Sequence, residues 1–156
     1  MLTKKEKTVI SEICLNYEMT LGGSHALALY GAELGRPLKD IDLTYHRKNC
    51  PQELVPFMVK DNPFGSGSDV LFVISVLGVE MEILYSPTKN RKPFVIQGIP
   101  VQEFDDIWNV KCSYARKGES KHARDLLVIS KQLRRVRKKE NATVDNILKS
   151  RNPLKP

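Results

Sequence analysis

Two short groups in this 156-residue chain have residue types and spacing suited to chemistry. The first, Gly22-Gly23-Ser24, stands just ahead of the apolar run Ala26-Leu27-Ala28-Leu29. That order reads as a tight turn delivering a helix N-terminus, where backbone N–H groups are unpaired and the helix dipole favours an anion. Glycine lets a phosphate approach the main chain, and Ser24 can cap the helix or donate to a phosphate oxygen. The second group is Asp40-Ile41-Asp42 in a strand-like segment. Carboxylates two residues apart on a strand leave the same face. Converging on one point, they repel unless a cation lies between them. Mg²⁺, or Mn²⁺ in its place, suits hard oxygen ligands and bridges to substrate phosphates. Each group alone is ordinary, since glycine turns often just precede helices and paired aspartates often just edge a strand. In this order, about eighteen residues apart, they point to nucleoside-triphosphate chemistry.

These residues need elements to hold them. Thr3 to Tyr17 reads as an opening helix, with Val9, Ile10, Ile13, Cys14 and Tyr17 on one face and Thr3/Glu6 spaced as a capping box. Glu18 to Leu21 is a short strand into the glycine turn, and Ser24 to Leu34 a second helix broken by Gly35-Arg36-Pro37. Asp40 to Tyr45 is the next strand, with Ile41 and Leu43 inward. Pro51 to Lys60 reads as helix, with Leu54, Val55 and Met58 on one side, and Asp61 to Ser68 as a connecting loop. Val70 to Leu77 has the unbroken apolar character of a central strand. Gly78 turns it into Val79 to Tyr85, where Val79, Met81 and Ile83 alternate with Glu80 and Glu82. An edge strand is expected at Phe94 to Gln97. A helix is expected at Val101 to Ser113, with Phe104, Ile107, Trp108 and Cys112 inward. Another runs from Tyr114 to Leu133, interrupted at Gly118 and carrying Asp125, Leu126, Leu127 and Ile129 on its inner stripe. The sum is an α/β chain with helices flanking a small mixed sheet.

The segment GGSHALALYG, followed by GR and DIDL, resembles the signature of minimal nucleotidyltransferases related to DNA polymerase beta. It is most similar to the abortive-infection (AbiEii-like) toxin branch. Gly22, Gly23, Ser24, Leu27, Gly31, Arg36, Asp40 and Asp42 fall on that pattern, and Leu38 stands where Ser or Thr is usual. The resemblance implies a nucleotidyltransferase-type core and a third acidic residue on the strand after the aspartates. Glu82 takes that place, so Asp40, Asp42 and Glu82 become the catalytic, metal-holding set. It also implies that Gly22, Gly23, Ser24 and Arg36 contact the nucleotide. Lys111, Arg116 and Lys121, ahead of Arg124-Asp125-Leu126, resemble the branch's later basic series and join them. The implied activity moves a nucleoside monophosphate from an NTP, ATP or another, to a hydroxyl of an RNA 3′ end, a protein or a small molecule, releasing pyrophosphate. A toxin-like role with a cognate antitoxin is implied with it. The alternative is a weakly active or inactive module of the same fold that binds nucleotide, RNA or a protein partner.

Charge and cysteines bound the rest. Residues 1–130 carry sixteen basic and sixteen acidic side chains, whereas 131–156 carry nine and two, so the +7 excess belongs to the tail. We expect one nucleotidyltransferase domain over residues 1–133 and a basic, partly disordered tail over 134–156, with a short amphipathic piece at Val144 to Leu148. Such a tail suits nucleic acid or an acidic protein. No apolar run is long enough to span a bilayer and no signal-peptide core opens the chain, so a cytoplasmic protein without membrane partners is expected. Cys14, Cys50 and Cys112 suggest neither disulfides nor zinc. His25, His46 and His122 lack ligand spacing and read as structural or surface groups, and Trp108 as core.

Overall fold

The computed structural model describes residues 1–87 and 93–132. The expected basic tail at 134–156, with its Val144 to Leu148 piece, lies outside the described residues. Helix α1 (Lys4–Tyr17) starts on the Thr3/Glu6 capping box and buries Val9, Ile10, Ile13 and Cys14, as its periodicity predicts. Strand β1 (Thr20–Leu21) leads into α2 (Gly23–Leu29), and β2 (Asp42–Tyr45) follows a long loop. A 3₁₀ turn (Gln52–Phe57) then leads into β3 (Met58–Asp61), β4 (Val70–Val76), β5 (Val79–Tyr85), β6 (Phe94–Ile96), β7 (Ile99–Val101) and α3 (Phe104–Arg116). Residues 120–132 are helical and form α4.

The strands make one mixed sheet in the order β3-β4-β5-β2-β1-β7-β6. β2 runs antiparallel to β1 and parallel to β5, and β1 runs parallel to β7. The core packs α1 and α2 on the sheet through Ile10, Leu27, Leu43, Met81 and Ile83, each fully buried. The expected α/β architecture with a mixed sheet is what forms. Among the described residues, no helix is long and apolar enough to cross a membrane.

Several boundaries differ from the sequence reading, for local reasons. α2 stops at Leu29 instead of Leu34 because Gly31 takes φ +98°. Ala32 N–H then bonds to Leu27 O (3.0 Å) and Gly31 N–H to Ala28 O (3.0 Å), a Schellman ending. The strand expected from Glu18 starts at Thr20, since Glu18 at φ 55° closes α1. The strand expected from Asp40 starts at Asp42, leaving Asp40 in the preceding loop. In the segment read as a helix over Pro51 to Lys60, Pro56 limits the turn to 3₁₀ geometry and the chain extends as β3; only Leu54 of the expected apolar side is buried. β4 is one in from the edge rather than central. Val101, read as the start of a helix, ends β7, and the helix begins at Phe104. Trp108 packs against the core, stacked on Phe104.

Candidate active site

The glycine turn lies directly on the start of β2. Gly22 caps α2 and donates its N–H to Asp42 O (2.8 Å), while Gly23 sits at φ +62°. A Cβ on Gly23 would stand 2.5 Å from Asp42 Oδ2, and one on Gly22 would stand 2.8 Å from Gln102 Oε1. The glycines therefore do more than admit a ligand. They let the turn press against an acidic side chain of the sheet. Gly23→Ala should cost about 1–2 kcal/mol through left-handed strain and push the Asp42 carboxylate out of place. A melting curve that falls by several degrees checks the first effect, and loss of divalent-cation dependence in nucleotide binding checks the second.

Behind Ser24 lies a buried charge cluster. Arg36 Nη2 and Lys111 Nζ both donate to Ser24 Oγ, at 2.9 and 3.2 Å. The same two cations hold Asp125: Arg36 Nε on Oδ1 at 3.0 Å, Arg36 Nη2 on Oδ2 at 2.6 Å, and Lys111 Nζ on Oδ2 at 2.8 Å. Lys111 is 3% exposed and Asp125 1%, which places the ion pair out of water. Burial pushes the Asp125 carboxyl up, but the bonds from Arg36 and Lys111 outweigh it and hold it below its ordinary value. Burial also lowers the Lys111 ammonium, against the pull of Asp125. Two cations against one carboxylate leave net positive charge at the turn. Ser24 accepts from both cations, so its own proton is free to point outward at an anion. Since α2 has only seven residues, these fixed cations, more than a helix dipole, supply the attraction.

Across from the cations are the acids. Parallel pairing sets Asp42 beside Glu82, on the same sheet face. Burial, then the charges of Glu82 and Asp40, push the Asp42 carboxyl up to about 7. Burial and Asp40 likewise raise Glu82. Side by side, the two groups cannot both ionise cheaply. A divalent cation relieves the same repulsion, so the donor chemistry fits Mg²⁺. Among the described residues no three acidic, histidine or cysteine side chains stand ready to hold a metal by themselves. That is compatible with an ion bound by one or two carboxylates plus substrate phosphate and water.

A cavity of about 690 Å³ joins the two halves. Gly23, Ser24, Arg36, Asp40, Asp42, Lys111 and Lys121 all line it, with Gln102, Tyr114 and His122. The α3 stripe Ile107, Val110, Lys111 and Tyr114 forms one wall, at helical spacing. Glu82 does not line this cavity but borders a neighbouring depression of about 500 Å³ with Lys60, Asn62, Phe64 and Glu80. Register places Asp42, Glu82, Val73 and Lys60 in a row across four strands, so the two hollows are laid out on one sheet face. Gly22 lies behind the turn rather than in the cavity. Arg116 is exposed at the end of α3 and is not among the residues that line the cavity. His122, read as structural or surface, lines the cavity, meets Lys111 Nζ through Nδ1 (3.3 Å) and stacks on Tyr114. Burial and then the Lys111 and Lys121 charges lower its pKa. Asp125, Tyr114 and Gln102 are also site residues that the sequence reading did not single out. Arg124-Asp125-Leu126, within the later basic series, was the one available hint for Asp125.

No family model matches the chain, and no curated protein does. Among solved structures, it is similar to the crystal structure of a “putative nucleotidyltransferase” from Thermotoga maritima, with a TM-score of 0.54 and 18% identity over 81% of this chain and 95% of that one. At that identity the likeness is one of fold: the nucleotidyltransferase-type core expected from the glycine and aspartate signature.

Proposed function

We propose that the protein is a metal-dependent nucleotidyltransferase, moving a nucleoside monophosphate from an NTP to a hydroxyl acceptor with release of pyrophosphate. The observation that carries this is one cavity lined both by Ser24, Arg36, Lys111 and Lys121 and by Asp40 and Asp42. An NTP is itself built that way, with a polyanion to hold and an α-phosphorus to attack.

The chain's own groups divide the task. Ser24 and the N–H groups of the turn hold the outer phosphates, with Arg36, Lys111 and Lys121 offsetting their charge. Asp125 fixes Arg36 and Lys111 in position, so their orientation is set before substrate arrives. Asp42 and Glu82, with Asp40 beside them, would hold Mg²⁺, which when bound stabilises charge on the transferring and departing phosphates. Asp42 or Glu82 takes the acceptor's proton, since burial raises the proton affinity of both. The depression past Glu82 is the approach open to the acceptor.

The match of Gly22 to Asp42 with the abortive-infection pattern extends the proposal to a toxin-like role. RNA or protein would be the acceptor and a cognate antitoxin the restraining partner. The deciding experiment incubates the protein, Mg²⁺ and each α-labelled NTP with bulk cellular RNA and protein. Label in one macromolecular fraction, absent in an Asp40→Ala/Asp42→Ala variant, is the expected result. Equal labelling by both proteins, or none by either, contradicts it.

A further inference from the structure

Gln102 follows β7 directly, and its main chain is fully used. Its N–H donates to Leu21 O (2.8 Å) and its carbonyl accepts from Tyr30 Oη (2.8 Å). The residue is 6% exposed and lines the cavity. Its Oε1 lies against Gly22, where an added Cβ would stand 2.8 Å from it. Among the described residues, the side-chain amide has no hydrogen-bond partner, and neither of its polar atoms is sealed from the cavity. Nearby hydroxyls are engaged elsewhere: Tyr30 Oη bonds the Gln102 carbonyl, and Thr20 and Thr44 bond to each other. An amide on a residue this buried, with donor and acceptor both open to the cavity and unclaimed by the protein, is placed to bond whatever fills it.

We propose that Gln102 binds a ribose hydroxyl of the donor nucleotide and makes this cavity selective for ribonucleoside over deoxyribonucleoside triphosphates. The inference rests on the nucleotidyltransferase reading of the same site. Three parts of an NTP compete for the amide. Phosphate oxygens accept only, so Oε1 would face an anion, and cations already serve them at Ser24. A base meets the apolar wall of Ile107, Val110 and Tyr114 further along α3. The sugar is bonded next to the α-phosphorus, which the carboxylates address, and Gln102 Oε1 abuts Gly22, whose chain neighbour Gly23 presses on the Asp42 carboxylate. A hydroxyl both donates and accepts, as a primary amide does.

The test measures binding of each ribonucleoside triphosphate, and of its 2′-deoxy and 3′-deoxy counterparts, with Mg²⁺ by calorimetry. For the best-bound base, the wild type should prefer the ribonucleotide about tenfold over at least one deoxy form, the usual effect of one buried hydrogen bond. Which form loses affinity identifies the hydroxyl. Gln102→Leu should weaken the ribonucleotide by the same factor, leave the sensitive deoxy form unchanged and so erase the preference. Gln102→Met keeps much of the shape with no donor and only a weak acceptor, and serves if the leucine variant fails to fold. Equal binding of all three sugars by the wild type, or a preference that persists in a folded variant, overturns the role of Gln102 while leaving the nucleotide site intact. Absence of any NTP binding overturns both the site and this role.

Discussion

Asp42→Asn should reduce nucleotidyl transfer by about a thousandfold, the rate equivalent of about 4 kcal/mol of transition-state stabilisation. The substitution preserves shape and the backbone bond from Gly22 but removes a charge that interacts with Glu82 and Asp40. Without the carboxylate, Glu82 is left bordering the neighbouring depression rather than the cavity. The fold should not suffer. Asp42 is held among like charges, so its neutral amide relieves repulsion, and the metal-free variant should melt no lower than the wild type. A single-turnover transfer assay beside a thermal melt separates the two effects. A variant that retains transfer within tenfold of wild type, with unchanged stability, would remove Asp42 from the mechanism.

The second large effect is expected on stability. Asp125→Ala leaves Lys111, 3% exposed, without its counter-ion and frees Arg36 from a two-point hold. Breaking a buried pair from one side typically costs about 3–5 kcal/mol, which for a chain of this size lowers the melting temperature by about 10 °C or more. Replacing both partners, as in Lys111→Met with Asp125→Leu, should recover much of that loss while still weakening triphosphate binding. The pH dependence has a definite sign. Asp125 titrates below its ordinary value when folded, so its stabilising contribution is complete above the ordinary aspartate range. The contribution is lost as pH falls through the depressed folded value. Asp125→Asn should therefore flatten the acid limb of the wild-type stability curve, as chemical denaturation from pH 7 down to pH 3 would measure. An unchanged acid limb would contradict the assignment.

What the sequence displays and what it hides follow from the range of the forces involved. The Gly22–Ser24 turn, the alternation of β5 and the capping box of α1 are written in adjacent residues, and all are found in the fold. Asp42 and Glu82 become neighbours through strand pairing, which their periodicities suggest and the parallel register completes. Lys111 is expected near the nucleotide by resemblance alone, and its burial is not legible because it depends on Asp125 in α4 and Arg36 after α2. Gln102 is equally silent, since β7 is a three-residue strand that contains a proline and exists only by pairing with β1 and β6. His122 enters the site because Gly118 turns the chain after α3 and α4 returns along it, with Gly118 at φ +91°. The expected helix at Pro51 to Lys60 fails for a local reason, Pro56, which composition alone underweighted.

The proposed occupant of the cavity is a triphosphate held between the Ser24 cations and the Asp42 carboxylate, with a divalent cation between. Calorimetric titration of each NTP into the wild-type protein, with Mg²⁺ and then with EDTA, tests it most directly. Binding that requires the cation, is competed by pyrophosphate and is lost in Asp42→Asn is the predicted result. Cation-independent binding, or no binding of any NTP, would contradict the claim.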